Sequence, residues 1–209
     1  MPAMPERNIR RANAKVRQEV AAEAARIIAT EGQRSYLTAK HKAAERLRVS
    51  KGGLPTNAEI EQALKEWQHL YGGEELQMRL HELRLAALEA MRFLDRFKPR
   101  LVGPVLEGTA DEYSRICLHL FADDPDAVVM FLMESGIEFS QERRRIRWHG
   151  GQHREVDVLV VEAGEETVEM TLMIGRDAVH PPPSPIDGHP VKRINRSELE
   201  ALIAEHAPA

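Results

Sequence analysis

The hydrophobic period of this chain changes once, at Pro99, and that change restricts the fold more than any other feature. Before it, apolar residues recur every three to four positions, the pattern of amphipathic helices. After it, they gather in short runs bounded by Gly, Pro and Asp, the pattern of strands. The expected class is therefore α+β: an N-terminal helical module followed by a mixed-sheet core.

Four helices are predicted in the first half. Val16, Val20, Ala24 and Ile27 share a face of the first, and Gly32 is placed to end it. The second runs from Leu37 to Leu47 and stops before Ser50-Lys51-Gly52-Gly53. Thr56 opens the third, with Glu59 completing a capping box. Ile60, Ala63, Leu64, Trp67 and Leu70 form its apolar face, and Gly72-Gly73 breaks it. Leu76, Leu80, Leu83, Ala87, Met91, Leu94 and Phe97 stripe a long fourth helix that Pro99 stops.

Past Pro99, strands are expected at 101–106, 116–121, 137–148, 155–162 and 167–174. The last three are joined by Gly150-Gly151 and Ala163-Gly164-Glu165 turns, so they should run antiparallel. Asp124 reads as an N-cap with Pro125 at the first helical position. Residues 127–133 are apolar all round, predicting a helix buried against the sheet. His180-Pro181-Pro182-Pro183-Ser184-Pro185 is a stiff connector, and Ser197 is expected to cap a short last helix. The organisation read from this is a helical module at 1–73, a core at 74–175 that includes its leading long helix, and a connector with C-terminal helix at 176–209.

No apolar run approaches the ~20 residues of a membrane helix. No N-terminal apolar stretch with a cleavage site is present, and the single Cys117 can neither staple the chain nor hold zinc alone. A cytoplasmic protein without a membrane span is expected. Charge is uneven: residues 1–100 carry about +6 and residues 101–209 about −10. Basic residues crowd at Arg7, Arg10, Arg11, Lys15 and Arg17, then at Lys40, Lys42, Arg46, Arg48 and Lys51. They read either as a footprint for nucleic acid or another acidic partner, or as solvated helix faces. Residues 43–50 are faintly similar to a helix-turn-helix, although Gly52-Gly53-Leu54-Pro55 delays the next helix. Arg143 to Trp148 mixes basic and aromatic residues, as a nucleic-acid strand or a charge-protected edge strand would. His149 and His153 alone are too few for a metal centre. No G-x-x-x-x-G-K-[ST] loop occurs.

The stretch Gly103-Pro104-Val105-Leu106-Glu107-Gly108, followed by Ser114-Arg115-Ile116-Cys117-Leu118, resembles the signature of the DNA-polymerase-β-like nucleotidyltransferases. That family has a Gly-Ser turn, a second Gly five residues on, then a Ser before an Asp-x-Asp strand. Arg154-Glu155-Val156-Asp157-Val158-Leu159 is similar to the strand bearing the family's third carboxylate. The resemblance covers about residues 75–175 and implies a nucleotidyltransferase-like core. It also implies a degenerate site: Pro104 replaces the phosphate-holding serine, and Arg115 and Cys117 replace the metal-binding aspartates.

The loss has a direct physical consequence. Nucleotidyl transfer needs metal ions to neutralise phosphate charge, and Mg²⁺ wants hard oxygen ligands. Residues i and i+2 of a strand share one face. Arg115 and Cys117 therefore shift that face from about −2 to about +1, and Asp157 alone cannot hold the metal. The expectation is an inactive nucleotidyltransferase-like protein with no cofactor, binding a nucleotide, a nucleic acid or a protein partner. Gly103, Gly108, Ser114, Arg115, Cys117 and Asp157 are the candidate ligand-binding residues, with Arg115 expected to pair with Asp157. The alternatives are an active enzyme with substituted Mg²⁺ ligands, and a DNA-binding regulator using residues 36–71.

Overall fold

The computed structural model describes residues 6–33, 35–49, 53–175 and 179–206. Ser50, Lys51 and Gly52 lie outside the described residues, as do the side chains of Arg7, Arg10 and Arg11. Two units are present: Met1–Gly73 with Pro185–Asp187, and Glu74–Ser184 with Gly188–Ala209.

The first unit contains α1 (Glu6–Glu31), α2 (Tyr36–Arg46) and α3 (Asn57–Tyr71). α1 stops just before Gly32, whose φ is +62°. The Ser35 hydroxyl caps α2 by accepting from the Thr38 amide, and Thr56 and Glu59 form the expected capping box on α3. Val20, Ala24, Ile27, Ala39, Ala43, Ile60 and Leu64 make the core. Its alanines let the helix backbones approach closely, while the larger residues fill the space between. Glu61 is buried among them and accepts a hydrogen bond from the Tyr36 hydroxyl. Burial, then that bond, pushes the Tyr36 pKa up.

In the second unit α4 (Gly73–Phe93) leads through a 3-10 turn, Asp95–Phe97, into β1 (Arg100–Val102). Then follow α5 (Pro104–Glu107), β2 (Ile116–Ala122), α6 (Asp126–Glu134), β3 (Ser140–Arg147), β4 (His153–Ala163), β5 (Glu166–Ile174) and α7 (Arg196–Glu205). The five strands form one sheet in the order β1-β2-β5-β4-β3. β2 and β5 are parallel and the other pairs antiparallel, so the sheet is mixed with β2 inside it, as expected. Ile116, Leu118, Leu120, Leu159, Val161, Val168, Met170 and Leu172 join Leu83, Ala87 and Met91 of α4 in the main core. Val128 and Leu132 of α6 complete it, as does Leu199 of α7. Val156, Val158 and Val160 form a separate cluster.

Several local expectations shift. β1 ends at Val102, because Gly103 turns the chain and Pro104, which has no amide to donate to a ladder, starts a helical turn. β3 begins only at Ser140, since the Ile137 amide is still closing α6 on the Leu132 carbonyl. α6 buries one face rather than all of them: Val128 and Leu132 are covered, while Met130 and Met133 are exposed. The Asp124 carboxylate accepts from the Asp126 amide at its entrance. Asn195 rather than Ser197 caps α7, through a reciprocal box with Glu198. The tail is integral to the second unit, since Ile194 bridges to Leu101 and Leu199 is fully buried. Among the described residues no helix is long and apolar enough to cross a membrane.

Candidate functional site

The parallel register of β2 and β5 sets Cys117 beside Glu169 and His119 beside Thr171. On the other side of β5, Val160 faces Glu169 and Val158 faces Thr171. Side chains alternate along a strand, so these six project from one face of the sheet. Arg115, two residues before Cys117, reaches the same face. Its Nη1 lies 3.4 Å from a Glu169 carboxylate oxygen. Arg144 of β3 donates to both oxygens of that carboxylate, at 2.5 and 3.1 Å. Two guanidiniums thus converge on one carboxylate that is almost wholly buried.

Asp157 belongs elsewhere. Its neighbours Val156 and Val158 point to the Glu169 face, so Asp157 projects with Leu159 and Val161 from the opposite one. Its partners are Arg143, at 3.5 Å, and Gln141, at 3.5 Å, both on β3. The expected Arg115–Asp157 pair is therefore not formed. Register put Glu169 in that place, and Glu169 is the residue the sequence reading passed over. The alternation of Val168-Glu169-Met170-Thr171-Leu172 was its only local signal.

The turn before β2 is pinned rather than open. Gly103 has φ +74° and ψ −156°, a conformation essentially confined to glycine. A Cβ there would lie 3.5 Å from the Cys117 Cβ. Gly108 ends α5 in the left-handed region, its amide donating to the Pro104 carbonyl. The Ser114 hydroxyl donates to the Asp111 carboxylate at 2.7 Å and accepts from the Asp111 amide. Its proton is committed to that turn.

Cys117 is in no disulfide, and its Sγ sits 3.6 Å from the Arg115 carbonyl. His119 is buried, and its Nδ1 accepts from Arg193 Nε at 2.9 Å. That bond places the imidazole proton on Nε2. Desolvation, then the Arg193 charge, lowers the His119 pKa to about 3. Such a histidine is a poor general base near neutral pH, so the strand offers no activated Cys–His pair.

No family model matches the chain, and no curated protein or solved structure does so either. The site itself can be tested against the magnesium that the resembled family would imply. A thiol, an imidazole already accepting from arginine, and a carboxylate holding two guanidiniums do not fit a hard cation that needs open oxygen ligands. Among the described residues no group of three or more His, Cys, Asp or Glu is arranged to hold a metal ion.

The basic helices are largely paired within their own unit. Arg26 and Arg46 hold Glu23, while Arg46 and Lys42 hold Glu31. Arg46 first, then Lys42, lowers the Glu31 pKa to about 2. Arg17 faces Glu59, and Lys40 donates to Asn57. Residues 47–56 separate α2 from α3, far more than a helix-turn-helix turn allows. Just past the end of β3, Trp148 is buried with the Arg154 guanidinium 4.4 Å above its ring, which removes it as a base-stacking platform. His149 Nε2 meets the Pro181 carbonyl at 2.8 Å.

Proposed function

We propose that the second unit is a nucleotidyltransferase-like module that does not transfer nucleotidyl groups and instead binds a nucleotide through its phosphates. One observation carries this reading: Arg115 and Arg144 converge on Glu169 on the strand face where an Asp-x-Asp pair would gather metal. Two guanidiniums against one carboxylate leave a local excess of about one positive charge, which suits a phosphate without a metal bridge. The order of helix, strand, tight turn, strand, helix and three strands in one mixed sheet supports the fold half of the reading.

Calorimetry with a panel of nucleoside mono-, di- and triphosphates, in EDTA and in magnesium, tests the binding half. Binding should persist in EDTA and weaken roughly tenfold or more in the Arg115→Gln/Arg144→Gln double variant. Radiolabel transfer from ATP, CTP, GTP or UTP onto protein, nucleic acid or small acceptors should stay at background. Transfer that EDTA abolishes would overturn the proposal, as would an absence of binding across the panel.

A further inference from the structure

A guanidinium keeps its charge at any physiological pH, so one buried beside no carboxylate calls for an anion from outside. Arg84, on the sheet-packed helix α4, is only 6% exposed. Its Nε makes one long hydrogen bond, 3.4 Å to the Val105 carbonyl of α5. Among the described residues Nη1 and Nη2 have no acceptor and no carboxylate pairs with the group. Burial alone pushes its pKa down, with no neighbouring charge to offset it. Other buried or half-buried ionic groups differ: Glu61 has Tyr36, Glu169 has its two arginines, and Arg79 has Glu166.

The place of the guanidinium is well defined. Nη2 lies 3.8 Å from the Cβ position at Gly108, so Arg84 rests against the end of the α5 turn. One turn earlier on the same helix, His81 has a buried Nδ1 without a partner among the described residues. Positions three apart on a helix are neighbours on its surface. Arg84, resting against the α5 turn at Gly108, thus has on the neighbouring position of α4 a second side chain with unfilled hydrogen-bonding capacity.

We propose that Arg84 anchors an oxyanion site between α4 and the α5 turn, with His81 as a further donor, and that its ligand is a phosphate group. The fork of Arg84 takes two oxygens, and a donor from His81 gives a third contact, which matches the three terminal oxygens of a phosphoryl group better than the two of a carboxylate. The site shares no side chain with the Arg115–Glu169–Arg144 cluster and does not rest on the function proposed for it. The phosphate comes either from free inorganic phosphate or from the phosphoryl group of a nucleotide.

The experiment is thermal unfolding of the full chain during titration with sodium phosphate, with AMP, and with sodium chloride matched for ionic strength. The wild type should gain melting temperature along a saturating curve with phosphate or AMP and not with chloride. In the Arg115→Gln/Arg144→Gln background, a response to AMP alone identifies the phosphoryl group of a nucleotide as the ligand of the Arg84 site. In that background Arg84→Met, which keeps the volume and removes the buried charge, should lose the response. Arg84→Lys keeps charge but not the fork, and should weaken apparent affinity roughly tenfold while folding as the wild type does. The Arg115→Gln/Arg144→Gln variant should keep the phosphate response whatever becomes of nucleotide binding at its own cluster. A wild type silent to both phosphate and AMP would overturn the proposal. So would an Arg84→Lys chain that responds as the wild type does.

Discussion

Glu169→Gln removes one charge and almost no volume, which makes it the sharpest probe of the arginine cluster. The carboxylate is 12% exposed and accepts from Arg115 and, twice, from Arg144. Arg115 already has a buried Nε without a partner, so losing its carboxylate leaves it poorer still. Breaking a fully buried ion pair from one side costs about 3–5 kcal/mol. The arginines here keep 31% and 41% of their side chains in water and recover some hydration, which lowers the expected cost to about 2–3 kcal/mol. With an m-value of about 2 kcal/mol/M, the urea midpoint of the second unit should fall by about 1–1.5 M. Arg144→Gln should cost only about 1 kcal/mol, because Glu169 keeps Arg115. Adding Arg144→Gln to Glu169→Gln should then relieve part of the damage, since one of two opposing cations is gone. A Glu169→Gln midpoint within about 0.3 M of wild type would refute the reasoning and reduce the cluster to a solvated surface pair.

The remaining expectations use the same chain. His119 has a folded pKa of about 3 against about 6.5 unfolded, so between these values only the unfolded chain takes up the proton. Stability should therefore fall as pH drops from 6.5 toward 3, by up to about 1.4 kcal/mol per unit, and urea midpoints measured from pH 7 to 4 should flatten in His119→Asn. Gly103→Ala, forced into a conformation at φ +74° and ψ −156°, should cost about 1–3 kcal/mol, and Gly108→Ala, in the left-handed region, about 1 kcal/mol. Thermal unfolding of the two variants checks that order. Asp157→Ala should cost under about 1 kcal/mol, because its partner Arg143 is 76% exposed, and a large loss of melting temperature would contradict the assigned face. Magnesium should leave the wild-type melting temperature unchanged at fixed ionic strength, and a rise would point to a cation site that these side chains do not form.

Local chemistry determined a good deal by itself. Helix ends rest on groups within a few residues of one another, so Thr56 with Glu59 and Gly32 after α1 were legible before any fold was known. The same logic runs through Asn195 and Glu198, a box present in the sequence that a reading centred on Ser197 overlooked. The change of period at Pro99 likewise contained the α+β class and the place of β2, because burial of alternating residues needs no knowledge of partners. The arrangement of the charged site was decided at longer range. Arg115 and Glu169 are 54 residues apart, and they meet only because β2 and β5 pair in parallel at one register. Side chains alternate with period two, so a slip of a single residue sends each of them to the other face. Asp157 shows the consequence: its strand was recognisable from its own residues, but the face it occupies is set by how β4 pairs with β5, and that pairing is a property of the sheet rather than of any stretch of chain.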